Sequence, residues 1–157
     1  MRYTDAIEIA LPRETVVALL ADPAQLPRWL RGLVLHEPVD GVHGEVGTTS
    51  RVVLRTGQHT MEATETITRR ERADGVLHYE REITAPGMWN AARERLTAAG
   101  PESTLWVSEN EYRFDSVPMR LMGHVLRGVF RRQSRQHMND FKAFAEQGTD
   151  VRDATEA

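Results

Sequence analysis

The order of patterns along this 157-residue chain predicts an α+β domain in which a curved, seven-stranded antiparallel sheet wraps around one long C-terminal helix. Three observations carry that expectation. The run from Thr48 to Phe114 has no helical period, the run from Pro118 to Gln147 has no strand period, and two short, proline-punctuated helices follow the first strand. A sheet of that size cannot flatten onto a single helix everywhere. It has to curve, and the grip leaves an internal cavity between sheet and helix.

Tyr3 to Leu11 places Ile7, Ile9 and Leu11 on one face and Ala6, Glu8 and Ala10 on the other, the period-two mark of a half-buried strand, and Pro12 ends it. Arg13 to Ala21 carries Val16, Val17, Leu19 and Leu20 at helical spacing. Asp22-Pro23 stops that helix and starts a second, shorter one through Leu30, with Leu26, Trp29 and Leu30 as its apolar side. A strand from Val34 to Val39 and a glycine-rich turn around Asp40-Gly41 follow. The remaining strands span about Thr49 to Thr56, Thr60 to Arg70, Val76 to Ala85, Trp89 to Ala99 and Thr104 to Phe114. They are separated by Gly57-Gln58, Ala73-Asp74-Gly75, Pro86-Gly87 and Gly100-Pro101, each with the composition of a hairpin turn. One domain over residues 1–147 results, and the polar, acidic, patternless residues 148–157 are expected to fray.

A chain of this length makes one domain that buries roughly two-thirds of its unfolded surface, and is short for two. No apolar run approaches the ~20 residues of a membrane span. The N-terminus MRYTDAIEIA lacks the apolar stretch and cleavage site of a secretory signal and there is no cysteine, so the cytoplasm is the expected location. A net charge of −3 argues against a general nucleic-acid surface. The six histidines, His36, His43, His59, His78, His124 and His137, show no HExxH spacing, and no GxSxG elbow, phosphate loop or GxGxxG fingerprint is present. Neither a metal nor a cofactor is expected.

The phrases LPRWLRGL, VDGVHGEVGTTS, TETITRRERADGVLHYE, ESTLWVSENEY and the closing DFKAFAE, in this element order, resemble the START-related superfamily of SRPBCC proteins. Within it the chain looks like the polyketide cyclase/dehydrase and lipid-transport group, over about Tyr3 to Gln147. The resemblance implies a helix-grip fold with a deep pocket between sheet and helix. Relatives in that superfamily include lipid carriers, aromatase/cyclases, plant hormone binders, coenzyme Q binders and chaperone co-activators. Its branches share no catalytic residues, so the pocket has to be read from this sequence.

Strand register supplies that reading. In the last strand Trp106, Ser108, Asn110, Tyr112 and Phe114 share one face, expected to point inward. Pairing Arg95 with Glu109 and Arg93 with Glu111 on the solvent face sets Glu94 beside Asn110 inside. Pairing Glu82 with Arg93 and Glu80 with Arg95 then turns Arg81 inward to face Glu94. Solvent suits Thr64, Thr66 and Thr68, which sends Met61, Ala63, Glu65 and Ile67 inside. Glu65, Arg81, Glu94 and Asn110 thus form a polar belt across the sheet, read either as a structural network or as ligand anchors.

On the long helix, Met122, Val125, Leu126 and Val129 form one apolar stripe. Phe130, Ser134, His137, Met138, Phe141, Phe144 and Ala145 form a second, rotated about the axis, so a bend near Gly128 is expected. Gly123 and Gly128 each weaken a helix by about 1 kcal/mol relative to alanine, which suits either a half-helix that moves or close packing. Arg120, Arg127, Arg131 and Arg135, with Arg132 alongside, line an outer face. They read either as a phosphate- or anionic-lipid-binding stripe or as a solvated face paired with sheet-edge acids, and the negative total charge favours the latter.

The expected function is binding of a hydrophobic small molecule, lipid-like or polycyclic aromatic. Its wall is Trp106, Tyr112, Phe114, Met122, Leu126 and Phe130, its anchors are Arg81, Glu94, Asn110 and Ser108, and His137 lies on the inward side as a core histidine or an acid/base group. One alternative is a polyketide cyclase or dehydratase in which Arg81 polarises a carbonyl, Glu94 or Glu65 moves a proton and Asn110 donates to an oxyanion. Another is a partner-binding module that works through the arginine stripe. Neither nucleic acid nor stable membrane insertion is expected, and a homodimer is left open.

Overall fold

The computed structural model describes residues 1–153. Strand β1 (Arg2–Ile9) leads through helices α1 (Arg13–Ala21) and α2 (Leu26–Trp29) into six strands, β2 (Leu33–Asp40), β3 (Thr49–Thr56), β4 (His59–Ala73), β5 (Val76–Ala85), β6 (Met88–Gly100) and β7 (Ser103–Phe114). The sheet runs β1-β7-β6-β5-β4-β3-β2, antiparallel throughout, so β2 to β7 are a meander and β1 closes onto its last strand. This is the helix-grip architecture. Hairpin chemistry builds it: Asp74 and Gly75 both adopt positive φ, as a two-residue turn between Ala73 and Val76 demands.

Two registers differ from the charge-pairing expectation by two residues. Arg93 lies opposite Glu109, Glu94 opposite Ser108 and Arg95 opposite Val107. Likewise Glu80 faces Arg93, Tyr79 faces Glu94 and Arg81 faces Ala92. The tight loops decide this. Pro86-Gly87 sets Ala85 against Met88, while Pro101-Glu102 sets Gly100 against Ser103 with a bulge between Ala98 and Gly100. A loop that fixes backbone pairing outranks surface ion pairs contributing only about 0.2–1 kcal/mol each. Side chains alternate with period two, so a two-residue shift leaves every inward residue inward. Of the expected ion pairs, Arg93 with Glu111 re-forms on the diagonal at 3.1 Å, while Arg93 also reaches Glu109 directly opposite at 2.9 Å.

The single bent C-terminal helix is two helices, α3 (Val117–Val125) and α4 (Arg127–Gln147), and the break falls at Leu126 rather than Gly128. Ser116 caps α3 by accepting from the Met119 amide. Gly123 is a close-packing glycine, for a Cβ there would lie 2.5 Å from the Phe114 ring, whereas a Cβ at Gly128 would meet nothing within 4 Å. Gly148, at φ 70°, ends α4 with its amide on the Phe144 carbonyl.

The core gathers where α1, α2 and the C-terminal half of α4 meet the sheet, around Ile9, Val16, Leu96, Trp106 and Phe141. Trp29 and Trp106 both pack edge-on against Phe141, at ring distances of 5.2 and 5.3 Å. The expectation of a frayed tail does not hold for residues 148–153. Val151 is buried and its amide donates to the Arg28 carbonyl, while Asp150 pairs with Arg28. Residues 154–157 lie outside the described part.

Candidate ligand site

Three of the four expected belt residues come together on the concave face. The Arg81 guanidinium donates to Glu94 at 2.9 Å and stands 3.7 Å from Glu65. Each contact is a diagonal step between neighbouring strands, so β4, β5 and β6 contribute one member apiece. Two further residues lengthen the line. The Trp106 indole on β7 donates to the second Glu94 oxygen at 2.6 Å, and His36 on β2 bonds Glu65 at 3.0 Å. That last contact passes over β3 at Ser50, whose small side chain leaves room. The belt therefore runs from β2 to β7.

Its charges hold one another. Burial opposes the charge on Arg81, and Tyr79, Glu65 and Glu94 outweigh that cost and push its pKa above the ordinary value. Burial likewise opposes the Glu65 carboxylate, but the His36 bond, Arg81 and the neighbouring histidines hold its pKa below the usual range. Two buried nitrogens of the belt remain unpartnered, Nε of Arg81 and Nδ1 of His36. Both residues line a cavity of about 20 Å³ enclosed by Thr48, Ser50, Glu65, Tyr79 and His43, whose ring stacks 5.7 Å from that of His36. The loop carrying His43 closes tightly there. Gly44, at φ 81°, passes its carbonyl to Arg70, and a side chain would collide with that guanidinium.

Asn110 does not join the belt. The shifted register sets it opposite Ala92, where its amide donates to Ser108 and its oxygen lies 3.5 Å from the Asn90 amide. His137 is mostly buried, and its charged neighbours are Asp140 and Arg31 rather than the belt; burial lowers its pKa. Tyr112, Phe114 and Phe130 form an aromatic cluster at 5.1–6.3 Å beside a cleft of about 380 Å³ lined also by Met1, Arg120 and His124. Met122 and Leu126, expected in the wall, are exposed instead, because α3 packs through Gly123 and Met119 and turns its other sides outward.

Sequence reasoning missed His36 and Asp5. The buried Asp5 carboxylate receives Arg131 at 3.1 Å and Arg135 at 2.9 Å, which confirms acid partners for two of the helix arginines. Its signal was legible, an acid on the inward parity of Ile7 and Ile9. His36 carried no such signal, since its partner lies two strands away.

A family model described as polyketide cyclase / dehydrase and lipid transport matches residues 1–146. Among solved structures, the chain is similar to the Zhui aromatase/cyclase from Streptomyces sp. R1128, with a TM-score of 0.74 and 18% identity over 94% of each chain. It is also similar to truncated norcoclaurine synthase from Thalictrum flavum, with a TM-score of 0.70 and 13% identity over 94% of each chain. Ara h 8.0201 gives a TM-score of 0.67 at 14% identity, over 92% of this chain and 97% of that one. At these identities the likeness is one of fold. Among curated proteins no sequence matches.

Proposed function

The chain belongs to the polyketide cyclase/dehydrase and lipid transport family, and from that premise we propose that it binds a hydrophobic small molecule with one polar oxygen seated at the belt. The observation that carries the reading is the pair of unpartnered buried nitrogens, Arg81 Nε and His36 Nδ1, on a cavity with room for one water-sized group. A hydroxyl, phenol or carbonyl oxygen satisfies the Arg81 N–H. A hydroxyl also suits His36 in either tautomer, since it donates and accepts. The apolar body of a lipid-like or polycyclic ligand needs more space. The break at Leu126 and the cleft beside Tyr112 and Phe114 support entry by separation of α3 from the sheet.

Native mass spectrometry of freshly purified protein, with extraction of what co-purifies, tests this first. The expected result is an apolar species of discrete mass. Arg81→Lys keeps the charge between the two glutamates and removes the Nε donor, so affinity for that species should fall about tenfold, the worth of one hydrogen bond. An apo mass, with no thermal shift from fatty acids or polycyclic phenols, overturns the reading.

Cyclisation or dehydration of a polyketide-like chain is the second reading, supported by the family's description and by the same ion network. Against it, both Glu94 oxygens already accept hydrogen bonds, Glu65 is tied to His36, and Asn110 lies with Asn90 and Ser108. It predicts that Glu94→Gln abolishes turnover while binding stays within about tenfold. A carrier has no turnover to lose.

A further inference from the structure

The segment from Ser116 to Asn139 contains five arginines, two histidines and no aspartate or glutamate, in a chain whose net charge is −3. Five of its apolar side chains point away from the core. Val117, Leu121, Met122, Val125 and Val129 are each more than half exposed. Val117, Leu121 and Val125 recur at four-residue spacing on the side of α3 opposite Gly123, the residue that packs on Phe114. On the outward side of α4, Val129 is followed by Arg132. Arg127 and Arg132 are exposed and make no ion pair among the described residues, in contrast to Arg131 and Arg135, which Asp5 engages.

An apolar strip of this size flanked by unpaired arginines wants a partner that is apolar and anionic at once. A second copy does not supply it, because a two-fold contact through this face sets arginine against arginine. No helix among the described residues is long and apolar enough to cross a membrane, so the segment lies on a bilayer rather than in it. We infer that α3 and the start of α4 form a reversible docking surface for an anionic lipid bilayer, the valines and Leu121 entering the headgroup boundary and Arg127 and Arg132 meeting the phosphates. Docking there sets the cleft beside Phe114 and Arg120 against the membrane. The inference stands apart from the ligand reading, since it rests on outward side chains.

Flotation of the full chain with phosphatidylcholine vesicles, and with vesicles containing about a third phosphatidylglycerol, tests it. The protein should float with the anionic vesicles only, and less at high salt. Arg127→Gln with Arg132→Gln should weaken partitioning about 25-fold, roughly fivefold for each arginine. Leu121→Ser with Val125→Ser should weaken it by about tenfold or more. These side chains are exposed, so the variants should keep the wild-type circular dichroism and melting temperature. Failure to float, equal flotation on both vesicle types, or unaltered flotation of either double variant overturns the inference. A concentration-dependent dimer in sedimentation, lost in Leu121→Ser with Val125→Ser, assigns the face to a second copy and overturns it as well.

Discussion

Arg81 is the residue on which the concave face depends. Arg81→Met leaves Glu65 and Glu94 buried together without their cation, and the expected loss is about 3–5 kcal/mol in urea unfolding, much more than for Arg81→Lys. A neutral Arg81→Met would mean that the belt does not act as a charge network. Glu111 makes a comparable case on the outer face. It accepts from Arg113, Arg2 and Arg93, and these bonds lower its pKa from 4.5 to about 2. The folded pKa lies below the unfolded one, so the stabilisation is complete above about pH 4.5 and is lost as the pH falls toward 2. The melting temperature should hold steady from pH 7 to 5 and drop below that. Glu111→Gln should cost on the order of 2 kcal/mol at pH 7 and flatten the acid limb.

Between elements, the two glycines of the C-terminal segment separate packing from propensity. Gly123→Ala forces a Cβ into the Phe114 ring and should destabilise by about 1–3 kcal/mol through displacement of α3. Gly128→Ala meets open space inside a helix and should stabilise by up to about 1 kcal/mol. Thermal denaturation of the pair checks both signs. If both variants stabilise, α3 does not hold its place against β7. The sequence offered two equivalent glycines, and only the aromatic ring beneath one of them tells them apart.

At the scale of the molecule, the core is concentrated at one end of the grip and the aromatic cleft lies at the other. The proposed route of ligand entry and the stable core thus fall in different halves of the C-terminal segment. The segment after α4 belongs to the stable half. Val151 is buried beside α2, so Val151→Ser should lower stability by about 1–2 kcal/mol in chemical denaturation. An unchanged midpoint would show that this docking contributes nothing. A ligand that binds only the folded state should stabilise it by about 2.7 kcal/mol at a hundredfold excess over Kd, and the melting temperature should rise with ligand concentration.

Local signals determined the strands, their turns, the inward parity and the identity of Glu65, Arg81 and Glu94 as concave residues. Each depends on alternation, proline, glycine or an Asp-Gly pair within a few positions. The register was not legible from charge pairs, since two-residue loops and one bulge set it. The reach of His36 to Glu65, the docking of Val151 and the outward turn of Met122 and Leu126 were likewise decided only by the tertiary structure. The physical reason is the same for all three: a period says which side chains share a face, but what that face meets depends on how the elements pack.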